Sequence, residues 1–368
     1  HKLMVIQSVS LRDFRNYEYL DLKFDQATNI LYGDNAQGKT NVLESIFLCG
    51  TARSHQGSKD REIIKIGEEE AHIKMFIEKE GLEHKIDMHL KKNKSKGIAI
   101  NGIPIKKLSE LVGFVNMIFF SPEDLNLIKN GPSERRRFMD TELCQLDKIY
   151  LDNLKKYNKV LDQRNRLLKQ IKYDQSLIQT LQAWDYQLIA YGRKIISARN
   201  EFINQIKIAA EDTHCKLTGN REKLVITYDP DVSEEEFEEK LEKSVERDIN
   251  YQTTHVGPHR DDIKFDINGL DIRTYGSQGQ KRTAALSLKL SEIAIVKNRI
   301  DDVPILLLDD VLSELDRNRQ NYLLDCLDGI QTIITCTGME EFVDYRNRLP
   351  FTMIYKVVNG KVFDEKGR

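Results

Sequence analysis

The first third of the chain alternates between apolar and polar positions, as half-buried strands do. Two alternating runs fill the first twenty-five residues, and a short apolar run at 29–32 ends at Gly33. Three more alternating runs occupy 71–105, where Asn101-Gly102 is a strong hairpin signal. The pattern predicts two strands, a third strand that leads into a loop, and then an antiparallel meander.

The pattern changes between about 142 and 215, where apolar residues recur every three or four positions. This segment contains one glycine and no proline, and a polar break at 172–176 divides it. We therefore predict two long antiparallel helices with a turn near Tyr173. Each would have about thirty residues and a length of about 45 Å.

The last third returns to alternating helices and strands. An amphipathic helix is predicted at about 277–299, and a short, wholly apolar strand follows at 305–308. A helix over 317–327 and a strand over 332–335 come next, and Asn359-Gly360 marks a final hairpin. The pattern as a whole predicts the α/β class.

The net charge is close to zero, with 56 Lys+Arg against 58 Asp+Glu among 368 residues. This balance excludes a uniformly basic nucleic-acid coat, but the charges are unevenly distributed. Residues 151–210 carry eleven basic and five acidic residues, a net of +6, whereas 231–250 carry nine acidic and three basic residues, a net of −6. The positive segment could bind duplex DNA by counterion release. A charged coiled-coil exterior would look the same, so both interpretations stay open.

Five scattered cysteines form no CxxC pair. Their spacing argues against a disulfide framework or a zinc site built on cysteine, and it favours a reducing, cytoplasmic location. The longest clean apolar run, 305–308, is far too short to cross a bilayer, so we expect no membrane partner.

A phosphate-binding loop lies between a predicted strand and a predicted helix, and it matches GxxxxGK[ST] in full. Its glycines let backbone N–H groups wrap a phosphate, Lys39 would reach the β- and γ-phosphate oxygens, and Thr40 would offer a hydroxyl to Mg²⁺. The N-terminus of the following helix faces the anion. The predicted ATP-binding residues are Gly33, Asp34, Asn35, Ala36, Gln37, Gly38, Lys39 and Thr40.

Two carboxylates end the apolar strand at 305–308. Asp309 would hold Mg²⁺, directly or through water, and Asp310 could polarise the attacking water, with Lys39 as the second catalytic residue. Lys39 and Asp309 are 270 residues apart. A simple kinase or small GTPase places these elements closer together, so we predict a large insertion between them.

Ser277, Gln278, Gly279 and Gln280 open the helix that precedes the Asp309 strand. This arrangement resembles the signature motif of ABC-type ATPases, in which a helix N-terminus contacts the γ-phosphate held by a partner subunit. Alone, these residues are a weak signal and would more often be an ordinary helix cap. Their combination with the phosphate loop and Asp309 favours the signature motif.

Several longer motifs point to one family. They lie at 14–17, 121–125, 132–138, 257–262 and 308–316. On these motifs the chain, from Leu11 to its end, closely resembles the RecF family of bacterial DNA replication and repair proteins, which are SMC-like ABC-type ATPases. The resemblance implies an ABC-type ATPase head, with a P-loop core and an antiparallel β meander, that carries an inserted helical lobe with a short arm. The implied parts are head residues 4–125, lobe residues 126–255 and head residues 256–368.

The resemblance also implies an activity. It implies a weak, DNA-stimulated ATPase that forms an ATP-dependent homodimer on DNA, with each ATP shared between Lys39 of one subunit and Ser277 of the other. It further implies cooperation with RecR and RecO at gap/duplex junctions to promote RecA loading, in replication, recombination, the response to DNA damage and the SOS response. Thr337 stands where transporters keep a switch histidine, and Asp310 stands where they keep glutamate, which suggests slow hydrolysis.

Two alternatives remain. The chain could be the ATPase partner of an SMC-like nuclease complex, although such arms are usually far longer and carry a metal hook, and residues 172–176 contain no cysteine. It could also be the nucleotide-binding subunit of a transporter, against which the missing switch histidine and the inserted arm both argue.

The remaining candidates are charged residues in or near these motifs. Arg15 and Arg53 flank the phosphate loop and are candidate nucleotide contacts. The segment His259-Arg260-Asp261-Asp262 contains acid/base residue types but no second histidine at ligand spacing, which favours a structural or interface role over a nucleotide-sensing one. The candidate DNA or interface residues are Arg135, Arg136, Arg137, Lys155 and Lys156.

Overall fold

The computed structural model describes residues 4–338 and 352–365. The strands of these residues are β1 (Val5–Phe14), β2 (Tyr17–Lys23), β3 (Thr28–Tyr32), β4 (Glu70–Lys79), β5 (Leu82–Lys91), β6 (Gly97–Ile100), β7 (Ile103–Pro104), β8 (Met117–Phe120), β9 (Leu224–Asp229), β10 (Asp262–Ile267), β11 (Leu270–Asp271), β12 (Ile305–Asp309), β13 (Thr332–Cys336), β14 (Thr352–Val358) and β15 (Lys361–Asp364). The helices are α1 (Lys39–Thr51), α2 (Asp60–Ile63), α3 (Pro132–Leu146), α4 (Lys148–Ile171), α5 (Leu181–Leu217), α6 (Phe237–Lys243), α7 (Val245–Tyr251), α8 (Ile272–Tyr275), α9 (Gln278–Ile300) and α10 (Arg317–Asp325).

The chain divides into two compact units. The first contains His1–Asp124 together with Glu292–Arg368, and the second contains Leu125–Ser291. The first unit holds the phosphate loop and the Asp309 strand, and the second holds the predicted arm and the predicted signature motif. The α/β class predicted from the sequence is confirmed.

The first unit contains two six-stranded sheets. One has the order β2-β1-β4-β5-β6-β7, and all of its neighbours are antiparallel, which confirms the predicted meander. The other has the order β15-β14-β3-β13-β12-β8 and is parallel except for the final hairpin β14–β15. Its central strands are almost wholly buried, as the strands of parallel sheets usually are.

Helix α1 packs against both sheets, and its apolar residues join theirs in one continuous core. Eleven of its thirteen residues are buried, so it is a core helix rather than a surface one. Because α1 begins directly after the phosphate loop, this packing fixes the position of the loop at the carboxyl edge of the parallel sheet. Open α/β sheets bind their ligands at that edge.

The second unit contains the helical arm and the three-stranded sheet β11-β10-β9. Helices α4 and α5, of 24 and 37 residues, pack along one another and confirm the two predicted long helices. A 3-10 helix, Gln175–Thr180, lies between them, close to the predicted turn. Arg164 on α4 is fully buried and donates to Asp185 at 2.6 Å and to Asp248 at 2.7 Å, which ties α4 to α5 and α7.

The second domain boundary differs from the predicted one. The family resemblance implied that the head resumes at residue 256, whereas the second unit continues to Ser291. Strand β10 explains the difference, because it pairs antiparallel with β9 through six consecutive residue pairs. Because β9 and β10 belong to one sheet, the segment that contains β10 is part of the second unit, which ends at Ser291. Among the described residues, no helix combines the length and apolar character needed to cross a membrane.

Candidate nucleotide-binding site

The phosphate loop connects β3 to α1, and its conformation requires glycine at two positions. Gly38 has φ +110°, and a Cβ there would lie 2.7 Å from both Asn16 Nδ2 and Tyr17 Oη. Gly33 has φ +157°, and a Cβ there would overlap the Val357 carbonyl oxygen. Any side chain at either position would therefore displace the loop from its neighbours.

Lys39, the first residue of α1, is only 3% exposed. Its Nζ donates to the Gly33 carbonyl at 2.6 Å and to the Cys336 carbonyl at 2.8 Å, and it lies 3.9 Å from Asp310 Oδ1. The ammonium is therefore held inside the loop, between the ends of β3 and β13. This is the position from which a lysine contacts the outer phosphates of a nucleotide.

Asp309, at the end of β12, is in hydrogen-bonding contact with Thr40 on α1, although the two residues are 269 positions apart in the sequence. Thr40 Oγ1 lies 2.9 Å from Asp309 Oδ1 and 3.1 Å from its Oδ2, and Thr335 Oγ1 donates to Oδ1 at 2.7 Å. Burial raises the pKa of the Asp309 carboxyl above its usual range, and hydrogen bonds from Thr335 and Thr40 act in the opposite direction.

Oxygen donors thus converge where Mg²⁺ is expected. A hydroxyl and a carboxylate are oxygen ligands of the kind that a hard cation prefers, and the Thr40–Asp309 pair offers both. The residues therefore fit the ion, and Thr40 and Asp309 would hold it. Mg²⁺ would neutralise charge on the phosphates when it is bound.

Asp310 occupies a strained backbone position directly after Asp309. Its φ is +50°, in the left-handed region that favours glycine, and its backbone N–H donates to both the carbonyl and the hydroxyl of Thr335, at 3.2 and 3.1 Å. Such strain is often kept where function requires a particular orientation. The Asp310 side chain is 28% exposed, so it is accessible to water and to a ligand.

Two residues at the turn between β1 and β2 donate hydrogen bonds to the phosphate loop. Asn16 Nδ2 donates to the Gln37 carbonyl at 3.1 Å, and Tyr17 Oη donates to the Gly38 carbonyl at 2.8 Å. These contacts give the motif at 14–17 a physical role, because they fix two carbonyls of the phosphate loop. The sequence identified the motif but not its contacts.

The two flanking arginines have different surroundings. Arg15 forms a bidentate pair with Glu44 on α1, at 2.9 and 2.8 Å, and also donates to Ser58 at 3.0 Å. Arg53 is exposed. A nucleotide role for either residue stays a prediction, and for Arg15 it would require partial release from Glu44.

The predicted signature residues begin α9 in the second unit. The Ser277 hydroxyl accepts from the Gln280 backbone N–H at 3.1 Å, and Gln280 Oε1 accepts from the Ser277 backbone N–H at 2.9 Å, so the two residues form a capping box. Ser277, Gln278 and Gly279 are exposed. The capping interpretation and the signature interpretation are therefore compatible, since the cap orders an accessible helix N-terminus.

A partly buried chain of polar contacts supports this cap. Gln280 Nε2 donates to Glu222 Oε1 at 3.2 Å, and the other carboxylate oxygen of Glu222 lies 2.8 Å from His214 Nε2. His214 is fully buried on α5, and its Nδ1 lies 3.1 Å from the Ser287 hydroxyl on α9. Sequence reasoning missed Glu222 and His214, because nothing local to either residue signals contact with residue 280.

Arg135 corrects one sequence-based prediction. This candidate DNA residue is fully buried, pairs with both carboxylate oxygens of Asp262, and donates to the carbonyls of Leu127, Ile128 and Asn130. All its donors point into the unit, so Arg135 is not a surface contact. The triplet at 135–137 is amphipathic on α3, and a helix turns consecutive residues by about 100°.

The other basic candidates are more accessible. Arg136 and Arg137 are partly exposed, and Arg136 donates to the Asp261 carbonyl at 3.0 Å. Lys155 and Lys156 are exposed on α4, and Lys156 pairs with Asp152 at 2.7 Å. Their role in DNA binding stays a prediction.

The segment 259–262 makes packing contacts rather than an open site. His259 lies 2.8 Å from Tyr157 Oη through Nδ1 and 2.9 Å from the Thr254 carbonyl through Nε2, and burial lowers its pKa. Asp261 is fully buried and accepts from Arg199 at 2.8 Å. Because a carbonyl only accepts, Nε2 of His259 donates to the Thr254 carbonyl, and the ring is held between two fixed partners.

Comparison with known proteins places these observations in a family. Residues 5–357 match the family described as the RecF/RecN/SMC N terminal domain. A relative from Lachnoclostridium phytofermentans, named DNA replication and repair protein RecF, is 62% identical over 364 residues, covering 99% of this chain and 100% of the relative. A relative of the same name from Lachnospira eligens is 60% identical, with 98% and 100% covered.

Solved structures agree with these relatives. A structure described as the recombination mediator protein RecF-ATPrS in the RecFOR pathway matches with a TM-score of 0.91 at 38% identity, covering 99% of this chain and 98% of that chain. An Smc head domain from Pyrococcus furiosus, bound to the C-terminal domain of ScpA, matches with a TM-score of 0.57 at 14% identity, covering 98% of this chain and 96% of that chain, and shows the shared fold alone. The predicted ABC-type ATPase fold is confirmed. The chain belongs to the RecF family of DNA replication and repair proteins.

Proposed function

We propose that this chain is an ATP-dependent DNA-binding ATPase that dimerises on ATP and acts in recombinational repair and replication. The convergence of Thr40 and Asp309 at 2.9 Å carries the proposal, with Lys39 buried in the same loop. This contact between two motifs 269 residues apart supports a single Mg²⁺–nucleotide site. The solved relatives described as RecF-ATPrS and RecF-ATP support ATP as the nucleotide.

The site residues divide the chemical work. The loop N–H groups and the N-terminus of α1 would bind the phosphates, and Lys39 would contact their outer oxygens. Asp310, which is 28% exposed, is the candidate to orient the attacking water. Because aspartate is one methylene shorter than glutamate, Asp310 must reach further to that water, and we expect slow hydrolysis suited to a switch.

The signature residues would complete the site in a second copy of the chain. Ser277, Gln278, Gly279 and Gln280 would present the exposed N-terminus of α9 to the γ-phosphate bound by the partner. ATP would then join two subunits, and hydrolysis would release them. DNA bound by the dimer would be held for as long as ATP remains intact.

The relatives suggest the pathway. The name RecFOR in the structure descriptions supports cooperation with RecR and RecO, and we propose action at gap/duplex junctions that promotes RecA loading. The short arm, with helices of 24 and 37 residues, argues against the nuclease-partner alternative, whose arms are usually far longer. ATP-dependent retention on DNA would also separate this function from that of a transporter subunit.

Sedimentation and DNA binding, with and without ATP and Mg²⁺, test the proposal. We expect the unchanged chain to dimerise in ATP and to bind duplex DNA more tightly, and Lys39→Arg to lose the ATP-driven dimer. Ser277→Arg should bind ATP but fail to dimerise. Leu270→Arg, which adds the same charge at an exposed position of the same unit, is the matched control. Normal dimerisation of Ser277→Arg would overturn the shared site, and equal DNA binding with and without ATP would overturn the gating of DNA binding.

A further inference from the structure

A cluster of metal-binding side chains lies on the first unit, on the antiparallel sheet rather than in the phosphate loop. Glu70 and His72 belong to β4, and His89 belongs to the neighbouring strand β5. His72 and His89 are direct cross-strand partners, and their rings stack with centroids 3.9 Å apart. Side chains opposite one another in an antiparallel pair project from the same face of the sheet. Strand pairing therefore presents two imidazoles side by side.

The ligand atoms of this cluster converge closely. Glu70 Oε2 lies 3.0 Å from His89 Nε2 and 3.9 Å from His72 Nε2, and one ligand atom from each residue falls within 4.8 Å of the others. Zinc bonds of about 2.0–2.1 Å at tetrahedral angles place ligand atoms about 3.4 Å apart. The observed separations bracket that value, and the two stacked imidazoles would have to turn so that both Nε2 lone pairs point at one ion.

We propose that Glu70, His72 and His89 form a surface Zn²⁺ site whose fourth coordination position is open to water. Two imidazoles and one carboxylate are a known ligand set for sites with an open position. The three side chains are between one-third and one-half exposed, so the ion can enter from solvent. The site is independent of the nucleotide pocket, whose oxygen ligands suit Mg²⁺.

A lysine side chain lies beside the carboxylate of this cluster. Lys91 lies 3.6 Å from Glu70 Oε1, the oxygen that does not face the histidines, so it would orient the carboxylate without occupying the site.

Zinc titration of the full chain, free of nucleotide, tests the proposal. We would measure the binding of Zn²⁺ alone by calorimetry and then record the visible spectrum with Co²⁺ in place of zinc. We expect one equivalent of zinc to bind and the cobalt spectrum to indicate low coordination number. His72→Asn and His89→Asn should each weaken zinc binding by roughly tenfold or more.

His84→Asn is the matched control, because His84 lies on the same strand β5 but outside the cluster. It should bind zinc like the unchanged chain. Thermal unfolding with and without zinc gives a second measurement, in which zinc should raise the melting temperature of the unchanged chain and of His84→Asn only. Equal zinc affinity in the unchanged chain and His72→Asn would overturn the site. So would the absence of zinc binding to the unchanged chain, which would leave the three residues as a cross-strand ion pair.

Discussion

The Thr335 hydroxyl donates to Asp309 Oδ1 at 2.7 Å and accepts from the Asp310 backbone N–H at 3.1 Å. One side chain on β13 therefore positions both consecutive aspartates at the end of β12. Thr335 is fully buried, so it would not contact a nucleotide itself. It acts on the predicted metal ligand and on the strained backbone that aims Asp310.

Thr335→Val should slow ATP hydrolysis by roughly 10–100-fold, because groups that orient a metal ligand typically contribute that much. Valine keeps the volume of the side chain but cannot donate to Asp309. Steady-state ATPase assays over a Mg²⁺ titration would measure the effect, with Thr335→Ser as the control that restores the hydroxyl. If Thr335→Val needed no more Mg²⁺ and lost no activity, the hydroxyl would have no role at the site.

Asp310→Asn should bind ATP normally but hydrolyse it roughly a hundredfold more slowly, because an amide cannot accept a proton from water. Rapid-quench assays of one turnover would separate hydrolysis from product release. Asp328→Asn removes an exposed charge in the same unit and should leave the rate unchanged. A normal rate in Asp310→Asn would remove Asp310 from the mechanism.

Glu222→Ala should weaken the ATP-driven dimer while leaving ATP binding to the monomer intact. The change removes the acceptor for Gln280, and one such hydrogen bond is worth about 1 kcal/mol, or roughly a fivefold rise in the dimer dissociation constant. Sedimentation in ATP would measure it, with Lys223→Ala as the neighbouring exposed control. Because part of the effect runs through Gln280, the double variant Glu222→Ala/Gln280→Ala should weaken the dimer by less than the sum of the two single variants. Full additivity would contradict the link.

Arg135→Ala should lower the free energy of unfolding by about 3 kcal/mol, because Asp262 keeps only its exposed partner Arg273 and three backbone carbonyls lose their donor. Urea unfolding followed by circular dichroism would measure the loss. Lys155→Ala, at an exposed position of the same unit, should change stability by no more than about 0.5 kcal/mol. Equal stability of the two variants would mean that the buried network around Arg135 does not stabilise the unit.

Lys155→Ala/Lys156→Ala should weaken DNA binding in ATP. It should also reduce the slope of the logarithm of the binding constant against the logarithm of salt concentration by about one to two, because fewer counterions are released. Lys155 should contribute more than Lys156, whose charge is partly neutralised by Asp152 at 2.7 Å. Fluorescence anisotropy over a salt series would measure the slope. The double variant Lys94→Ala/Lys106→Ala removes two exposed lysines from the other unit and is the matched control. If the salt dependence of binding were unchanged, the positive charge of the arm would contribute to solubility and not to DNA binding.

Local patterns accounted for the parts of the site that are continuous in the chain. The phosphate loop was identified because glycine freedom, a lysine and a hydroxyl act within eight consecutive residues, and the arm was identified because helical periodicity is a local property. The boundary near residue 256 could not be predicted in this way. The boundary depends on the pairing of β10 with β9, two strands that lie more than thirty residues apart in the sequence.

Contacts between distant segments depended on strand register and burial. Thr40 and Asp309 come into contact because β3, β13 and β12 align in parallel. The same register makes Thr335 on β13 the direct neighbour of Asp309 on β12. His72 and His89 face one another because β4 and β5 pair without a shift, and a slip of one residue would put them on opposite faces. Arg135 is buried whereas Lys155 is exposed because packing, not residue type, determines which cations meet solvent. Motifs that lie within consecutive residues can be identified from the sequence, whereas these contacts between distant residues form only once the strands and helices have packed.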